Sequence, residues 1–175
     1  MKVKLISDVD GVVNIYSLQH TSSAKVGYKH VNPDGRVHLI PTTLHWNESV
    51  TAFMRQPEVE LHWLTGWLDN APETLDPLWE LDSKSSIQWD KHLHEKDEIS
   101  KKRALVSFLE VNPGPFIWVD DIATRTVTEE DFAGLFNLED ALVITTNDMT
   151  GVTQAHLTQM QAFVNKWKNV AHETI

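Results

Sequence analysis

The stretch "VKLISDVDGVV" (residues 3–13) places two aspartates directly after a short apolar run. Its first part, Val3–Ser7, is rich in branched aliphatic residues, which predicts a buried β-strand. Asp8 and Asp10 follow with a single residue between them and a glycine after the second. Like charges at the end of a buried strand repel each other and resist desolvation. The pattern therefore predicts a cation, a partner or a reaction at this strand end.

The composition of the chain limits which kinds of protein and which kinds of site are possible. The chain has 175 residues, 41% of them hydrophobic, which is typical of one soluble domain with a substantial core. The formal net charge of −10 disfavours an extended nucleic-acid-binding surface. Because there is no cysteine, disulfides, thiolate zinc sites and cysteine nucleophiles are excluded. The apolar run at the start is too short for a signal peptide or a membrane span, so we expect a cytoplasmic protein with no membrane attachment.

Further elements are predicted from the apolar pattern. Short segments rich in β-branched and aromatic residues predict strands at 59–65, 116–120 and 141–145. Apolar residues at helical spacing predict helices at 43–56, 99–112 and 153–167. Strands that alternate with helices predict an α/β fold, in a three-layer, Rossmann-like arrangement with a central parallel sheet and helices on both faces.

One segment departs from this alternation. Residues 24–41 alternate in polarity, turn at "NPDG" and alternate again, which predicts a β-hairpin after the first strand. We expect this hairpin to form a flap near the aspartates, and both substrate contact and a purely structural role remain open. The intervals 11–58 and 66–100 are too short to form a sizeable core of their own. We therefore expect a single domain over residues 1–175 without a large cap domain.

Polar residues stand where the predicted strands end. In an open α/β sheet, ligands bind at the carboxyl ends of the strands. The ends of the first three predicted strands carry Asp8, Asp10, Thr65, Gly66, Asp120 and Asp121. Acidic groups that converge on one edge need a divalent cation, and oxygen ligands suit Mg²⁺ bound together with a substrate phosphate. Asp148 follows the fourth strand, where a place in a turn and a place in the metal cluster are both open.

These motifs occur in a recognisable order. "LISDVDGVV", "LHWLTG", a lysine early in the 99–112 helix and "FIWVDD" resemble the four motifs of the haloacid dehalogenase-like (HAD) hydrolase superfamily. The likeness extends over most of the chain, and "WLTGW", "WVDD" and "TGVTQAHLTQM" also resemble a little-characterised bacterial branch of it. With its short intervals, the chain resembles capless or minimally capped members.

The resemblance implies an activity. It implies a magnesium-dependent phosphatase that hydrolyses phosphomonoesters through an aspartyl-phosphate intermediate on Asp8. Asp10 would protonate the leaving group and then activate the hydrolytic water. Thr65 and the backbone near Gly66 would bind the transferring phosphoryl group. Taken alone, however, Thr65 would be an ordinary strand-end or capping threonine.

The resemblance also implies a metal site. Mg²⁺ would be held by Asp8, by the backbone carbonyl of Asp10 and by Asp120. Asp121 would support the ion through water or hold the catalytic lysine.

Two adjacent lysines compete for the third motif. Successive helical residues point about 100° apart, so only one of Lys101 and Lys102 can face the site. The family-like pattern K-x-x-A-L fits Lys101, with Ala104 and Leu105 following, while Lys102 remains the alternative.

Other functions remain open. The alternative to a phosphatase is a non-catalytic interaction module that binds phosphate and Mg²⁺ on the same fold. A receiver-like signalling domain also gathers acids, a threonine and a lysine at strand ends, but no acidic pair follows its lysine as "WVDD" does here. An open site suits a bulky phosphorylated substrate or a terminal phosphate of a nucleotide or nucleic acid, and a second copy of the chain could close it as a homo-oligomer.

Overall fold

The computed structural model describes residues 1–16, 23–31, 38–89, 97–122 and 137–173. Its strands and longer helices, in chain order, are β1 (Val3–Ser7), β2 (Ser23–Val31), β3 (His38–Trp46), α1 (Glu48–Met54), β4 (Val59–Trp63), α2 (Asn70–Trp79), β5 (Ser85–Ser86), α3 (Asp97–Val111), β6 (Phe116–Asp120), β7 (Ala141–Thr145) and α4 (Gln154–Glu173). A short 3-10 helix, Leu138–Asp140, directly precedes β7.

The main sheet has the strand order β5-β4-β1-β6-β7, and its pairings are parallel. β1 lies at the centre, where Leu5 is the register partner of Leu61 on one side and of Ile117 on the other. The predicted α/β fold with a parallel sheet is confirmed at this level. The predicted strands 3–7, 116–120 and 141–145 have the bounds of β1, β6 and β7.

Both faces of the central strands are buried in apolar clusters. Leu5 of β1 and Ile117 of β6 belong to a cluster with residues of α1, α2 and α4. Ile6 of β1 and Trp118 of β6 belong to a second cluster with Leu105 of α3. Successive side chains of a strand point to opposite faces, so a continuous apolar run supplies both clusters. This packing leaves the polar residues after each strand at the sheet edge.

β2 and β3 form a separate two-stranded antiparallel sheet, with register from Ser23↔Trp46 to Val31↔His38. The sheet includes the predicted hairpin strands, and the predicted "NPDG" turn (32–35) lies outside the described residues.

The predicted helix 43–56 is wrong over its first residues, because β3 continues to Trp46 and α1 begins at Glu48. In β3, Leu44 and Trp46 alternate into the core while the backbone pairs with β2. The Asn47 side chain then caps α1 by accepting a hydrogen bond from the backbone N–H of Ser49 at 2.9 Å.

Other boundaries differ less. β4 ends at Trp63, so Thr65 lies in the turn that follows the strand rather than at its last position. α4 continues beyond the predicted 153–167 to Glu173. Among the described residues, no helix combines the length and the apolar character that crossing a membrane requires.

Candidate active site

The carboxyl ends of three neighbouring strands form one edge of the main sheet. Ser7, the last residue of β1, is the register partner of Trp63 in β4 and of Val119 in β6. The backbone N–H of Asp8 donates to the carbonyl of Val119 at 3.0 Å, and that of Leu64 donates to Ser7 at 2.9 Å. The residues that follow β1, β4 and β6 are therefore held side by side at this edge.

Lys101 joins two of these strand ends. Its Nζ donates to Oδ2 of Asp8 at 2.5 Å and to Oδ2 of Asp120 at 2.9 Å. The lysine reaches the edge from α3, with Nζ 5.6 Å from the centre of the Trp89 ring. Asp120 is fully buried, and Lys101 and Asp8 are 4% and 7% exposed. The contacts are thus ion pairs shielded from water, where electrostatic interactions are stronger than at the surface.

Burial and charge act in opposite directions on these groups. Burial alone would lower the pKa of Lys101, but the charges of Asp8 and Asp120 outweigh it and leave the pKa raised, so the ammonium stays protonated. Burial raises the pKa of Asp120, the charge of Asp8 raises it further, and Lys101 only partly opposes them. One ammonium therefore does not fully balance the buried carboxylates.

Asp121 adds a third carboxylate. Ligand oxygens of Asp8, Asp120 and Asp121 all lie within 4.8 Å of one another. Two oxygens on opposite sides of one hard divalent ion are roughly 4 to 5 Å apart, so the three carboxylates are close enough together to hold one Mg²⁺ or Ca²⁺ ion. The Asp121 side chain passes close to Gly11, whose φ is +75° and where an added Cβ would lie 3.1 Å from Oδ2 of Asp121. Because Gly11 has no side chain, the Asp121 carboxylate has space at this position.

Asp10 does not belong to this three-carboxylate cluster and has partners of its own. Its Oδ1 accepts a hydrogen bond from Nδ2 of Asn14 at 2.8 Å, and its Oδ2 accepts one from Nε1 of Trp67 at 2.9 Å. Asn14 and Trp67 are both buried, whereas Asp10 is half-buried. The Asp10 carboxylate is therefore held by two buried donors, one on each oxygen.

Thr65 lies fully buried in the turn after β4, and Gly66 follows it in the same turn. Its Oγ1 accepts from the backbone N–H of Trp67 at 3.3 Å, and its carbonyl accepts from Nε1 of Trp89 at 2.9 Å. Within the described part of the chain, the Thr65 hydroxyl donates to no protein acceptor. It can therefore donate to a bound group.

The structure brings Asp8, Lys101, Asp120 and Asp121 together, with Asp10 beside them after the same strand. Lys102 is partly exposed and points elsewhere on α3, as its position in the helix requires. Asp148 lies in a turn and outside the three-carboxylate cluster, and its backbone carbonyl accepts from the N–H of Tyr16 at 3.2 Å.

Three residues of the site were missed by the sequence predictions: Asn14, Trp67 and Trp89. Trp67 and Trp89 contribute through indole N–H groups whose partners lie 57 and 24 residues away along the chain. Asn14 contributes through its amide to Asp10, four residues earlier in the same loop. A signal existed for Trp67, because "WLTGW" places it two residues after Thr65, but a tryptophan next to a motif is usually explained by packing.

Comparison of the chain with protein-family models, with curated proteins and with solved structures finds no match. The resemblance to the HAD superfamily therefore rests on the sequence motifs and stays a prediction. The chemistry of the site has to be inferred from its own residues.

Proposed function

We propose that this protein is a HAD-like, magnesium-dependent phosphatase that hydrolyses phosphomonoesters through a phosphorylated Asp8. The observation that carries the proposal is the buried contact of Lys101 with both Asp8 and Asp120, beside a third carboxylate, at the carboxyl edge of a parallel sheet. A surface cluster of acids would not need a buried cation. A nucleophilic carboxylate that receives a phosphate does, because both groups are anionic.

Asp8 is oriented for attack. Its Oδ1 accepts from the backbone N–H of Val9 at 2.7 Å, and its Oδ2 is held by Lys101. In the first step a carboxylate oxygen of Asp8 attacks phosphorus, and the bond from phosphorus to the ester oxygen breaks. The leaving oxygen takes its proton from Asp10. Lys101 and the Thr65 hydroxyl stabilise the charge on the transferring phosphoryl oxygens.

The second step returns Asp8 to its starting state. Water attacks the phosphorus of the aspartyl-phosphate, and Asp10 accepts the proton that the water loses. The bond from phosphorus to Asp8 then breaks, which releases inorganic phosphate.

Mg²⁺ would be held by Asp8, Asp120, Asp121 and the backbone carbonyl of Asp10, and it would supply positive charge to the phosphoryl oxygens. The cluster fits this role because all of these protein ligands are oxygens, which Mg²⁺ prefers.

We further propose the finer architecture that this chemistry favours: a single three-layer, Rossmann-like domain with no large cap and with the β2–β3 sheet as a flap. Two hydrogen bonds between β3 and the loop after β1 support the proposal that this sheet lies next to the site. The N–H of His45 donates to Oδ1 of Asn14 at 3.0 Å, and the N–H of Ile15 donates to the carbonyl of His45 at 2.8 Å. A site covered only by such a sheet would admit a bulky substrate or the terminal phosphate of a nucleotide or nucleic acid.

Phosphate release with and without Mg²⁺ tests the proposal. The panel comprises p-nitrophenyl phosphate, nucleotides, sugar phosphates, phosphopeptides and 5′- or 3′-phosphorylated oligonucleotides. We expect magnesium-dependent release that Asp8→Asn abolishes while the far-UV circular dichroism spectrum is unchanged. Asp82→Asn is the matched control, because Asp82 is 88% exposed and pairs with Lys84 away from the site. Equal activity in Asp8→Asn and the wild type would refute the mechanism.

A further inference from the structure

The proposed mechanism requires only that Asp10 can donate and accept a proton, but its carboxylate is also held by two side-chain hydrogen bonds. Both carboxylate oxygens are occupied, Oδ1 by Asn14 at 2.8 Å and Oδ2 by Trp67 at 2.9 Å. Trp67 is 1% exposed and Asn14 is 5% exposed, so both donors are fixed by surrounding packing. Asp10 itself is half-buried in a loop, where an unrestrained carboxylate would sample several rotamers.

The direction of both hydrogen bonds follows from their chemistry. An indole Nε1 is a donor only, so Asp10 must accept from Trp67. The Asn14 amide is oriented by β3, because the backbone N–H of His45 donates to its Oδ1 at 3.0 Å. Its Nδ2 must therefore face Asp10 as a donor. A carboxylate oxygen has roughly two lone-pair sites, so one hydrogen bond to an oxygen does not by itself prevent its protonation.

We propose that Trp67 and Asn14 are positioning residues that aim the Asp10 carboxyl at the leaving oxygen of the substrate. The inference rests on the proposed phosphatase function and adds to it the two residues that fix its general acid. Two hydrogen bonds from different elements, the turn after β4 and the loop after β1, determine both the position of the carboxyl and its plane. Proton transfer depends on this geometry, because the acid must lie within hydrogen-bond reach of the leaving oxygen.

Trp67 also connects Asp10 with the phosphate-binding part of the site. Its backbone N–H donates to Oγ1 of Thr65 at 3.3 Å, while its indole N–H donates to Asp10. This bond restrains the position of Oγ1, and the hydroxyl hydrogen can still rotate to donate to a bound group. One residue thus sets the relative placement of a phosphoryl donor and the general acid. A fixed acid contributes most for esters of alcohols, whose leaving oxygen must be protonated, so alkyl phosphomonoesters are the substrate class that this arrangement suits.

Trp67→Phe tests the inference, because it removes the indole N–H and keeps an aromatic ring. Trp79→Phe is the matched control: Trp79 is equally buried, and its Nε1 has no hydrogen-bond partner among the described residues. kcat/KM is measured with glycerol 2-phosphate and with p-nitrophenyl phosphate, since this ratio reports the step in which the alcohol departs. p-Nitrophenolate leaves readily without a proton, so its release needs little help from Asp10.

We expect Trp67→Phe to lower kcat/KM for glycerol 2-phosphate by about 10- to 100-fold, the worth of a hydrogen bond to a charged group. For p-nitrophenyl phosphate the loss should stay within about threefold, and Trp79→Phe should not change the ratio between the two substrates. If Trp67→Phe does not fold, as judged by circular dichroism, Asn14→Ala is expected to show the same dependence on leaving group. Equal losses with both substrates in an active enzyme would overturn this inference alone. Absence of magnesium-dependent turnover by the wild type of these two esters and of every other phosphomonoester in the panel would overturn the proposed function and this inference with it.

Discussion

Replacing Lys101 with methionine removes the buried cation while nearly preserving the length of the side chain. In the wild type, Nζ lies 2.5 Å from Oδ2 of Asp8 and 2.9 Å from Oδ2 of Asp120, and the lysine side chain is 5% exposed. Methionine can fill the same space beside Trp89. The variant therefore isolates the charge: two buried carboxylates would face each other without their ammonium.

The size of the effect follows from the geometry. At these separations each contact contributes roughly 6 kcal/mol of Coulomb attraction if the effective dielectric constant is about 20. Desolvation of the ammonium offsets several kcal/mol of that sum, and removal of one partner from a buried ion pair typically costs about 3–5 kcal/mol. We expect the free energy of unfolding of Lys101→Met to be lower than that of the wild type by about 3–5 kcal/mol at pH 8.

The loss should depend on pH, because a proton can replace part of the missing charge. The pKa of Asp120 is already raised by burial and by Asp8, and removal of Lys101 raises it further. A carboxyl whose folded-state pKa exceeds its unfolded value of about 3.9 binds more protons in the folded state. Stability of the variant should therefore increase as the pH falls from 8 towards 5, and the difference from the wild type should shrink.

Urea denaturation in EDTA at pH 5 and pH 8 measures both effects. Lys102→Met is the matched control, because Lys102 is the neighbouring, partly exposed lysine, and we expect its loss to stay within about 0.5 kcal/mol. Adding Mg²⁺ should restore part of the stability of Lys101→Met, since the proposed ion would neutralise the same carboxylates. A loss below about 1 kcal/mol at pH 8, or equal losses in the two variants, would refute the reasoning.

Three further predictions concern the acid, a turn and a buried histidine. Asp10→Asn should slow phosphate release by about 10²- to 10⁴-fold, the usual contribution of general acid–base catalysis, and an unchanged rate would exclude Asp10 as the acid. Gly151→Ala should lower the free energy of unfolding by about 2 kcal/mol or more, and with it the urea midpoint. The reason is that the φ of Gly151 is +59° and that the added Cβ would lie 2.4 Å from the carbonyl oxygen of Val12. Burial lowers the pKa of His62 despite Glu60, so the unfolded state takes up a proton that the folded state resists, and stability should fall as the pH falls below about 6.5. His62→Gln should flatten this pH dependence in urea denaturation, and an equally steep dependence in the variant would contradict the assignment.

The sequence was sufficient for the central strands and insufficient for β3. β1 and β6 are apolar runs that end at aspartates, so both their type and their bounds follow from local pattern. Residues 43–46 belong to a segment whose apolar positions fit a helix as well as a strand. Their strand conformation comes from pairing with residues 23–26 of β2, which lie 17 to 23 residues away in sequence. Pairing of this kind overrides local propensity and is not visible in a short window.

The site residues also fall into those that a local sequence pattern predicts and those that depend on tertiary contacts. Asp8, Lys101 and Asp120 could be predicted because each occupies a position in an ordered motif, although the roles proposed for them remain predictions. Trp67 could not, because its contact with Asp10 arises where the loop after β1 meets the turn after β4. Asn14 lies only four residues after Asp10, but its amide is oriented by His45 of β3, which is distant in the sequence. Which indole N–H finds a carboxylate depends on tertiary packing. Trp79, a buried tryptophan in α2, has no such partner among the described residues and looks no different in the sequence.

Charge balance supports the proposal that this cluster binds a metal although it already contains a lysine. Asp8, Asp120 and Asp121 with Lys101 carry a net charge of −2 when all are ionised, from three carboxylates and one ammonium. A phosphomonoester dianion would add to that charge, so the lysine alone cannot make its binding favourable. Lys101 contacts Asp8 and Asp120 together and offsets part of their mutual repulsion. The same ammonium contacts Oδ2 of both carboxylates and repels a cation there. The proposed Mg²⁺ should therefore bind more weakly than three buried carboxylates would otherwise allow, and more tightly once a phosphate supplies further oxygen ligands.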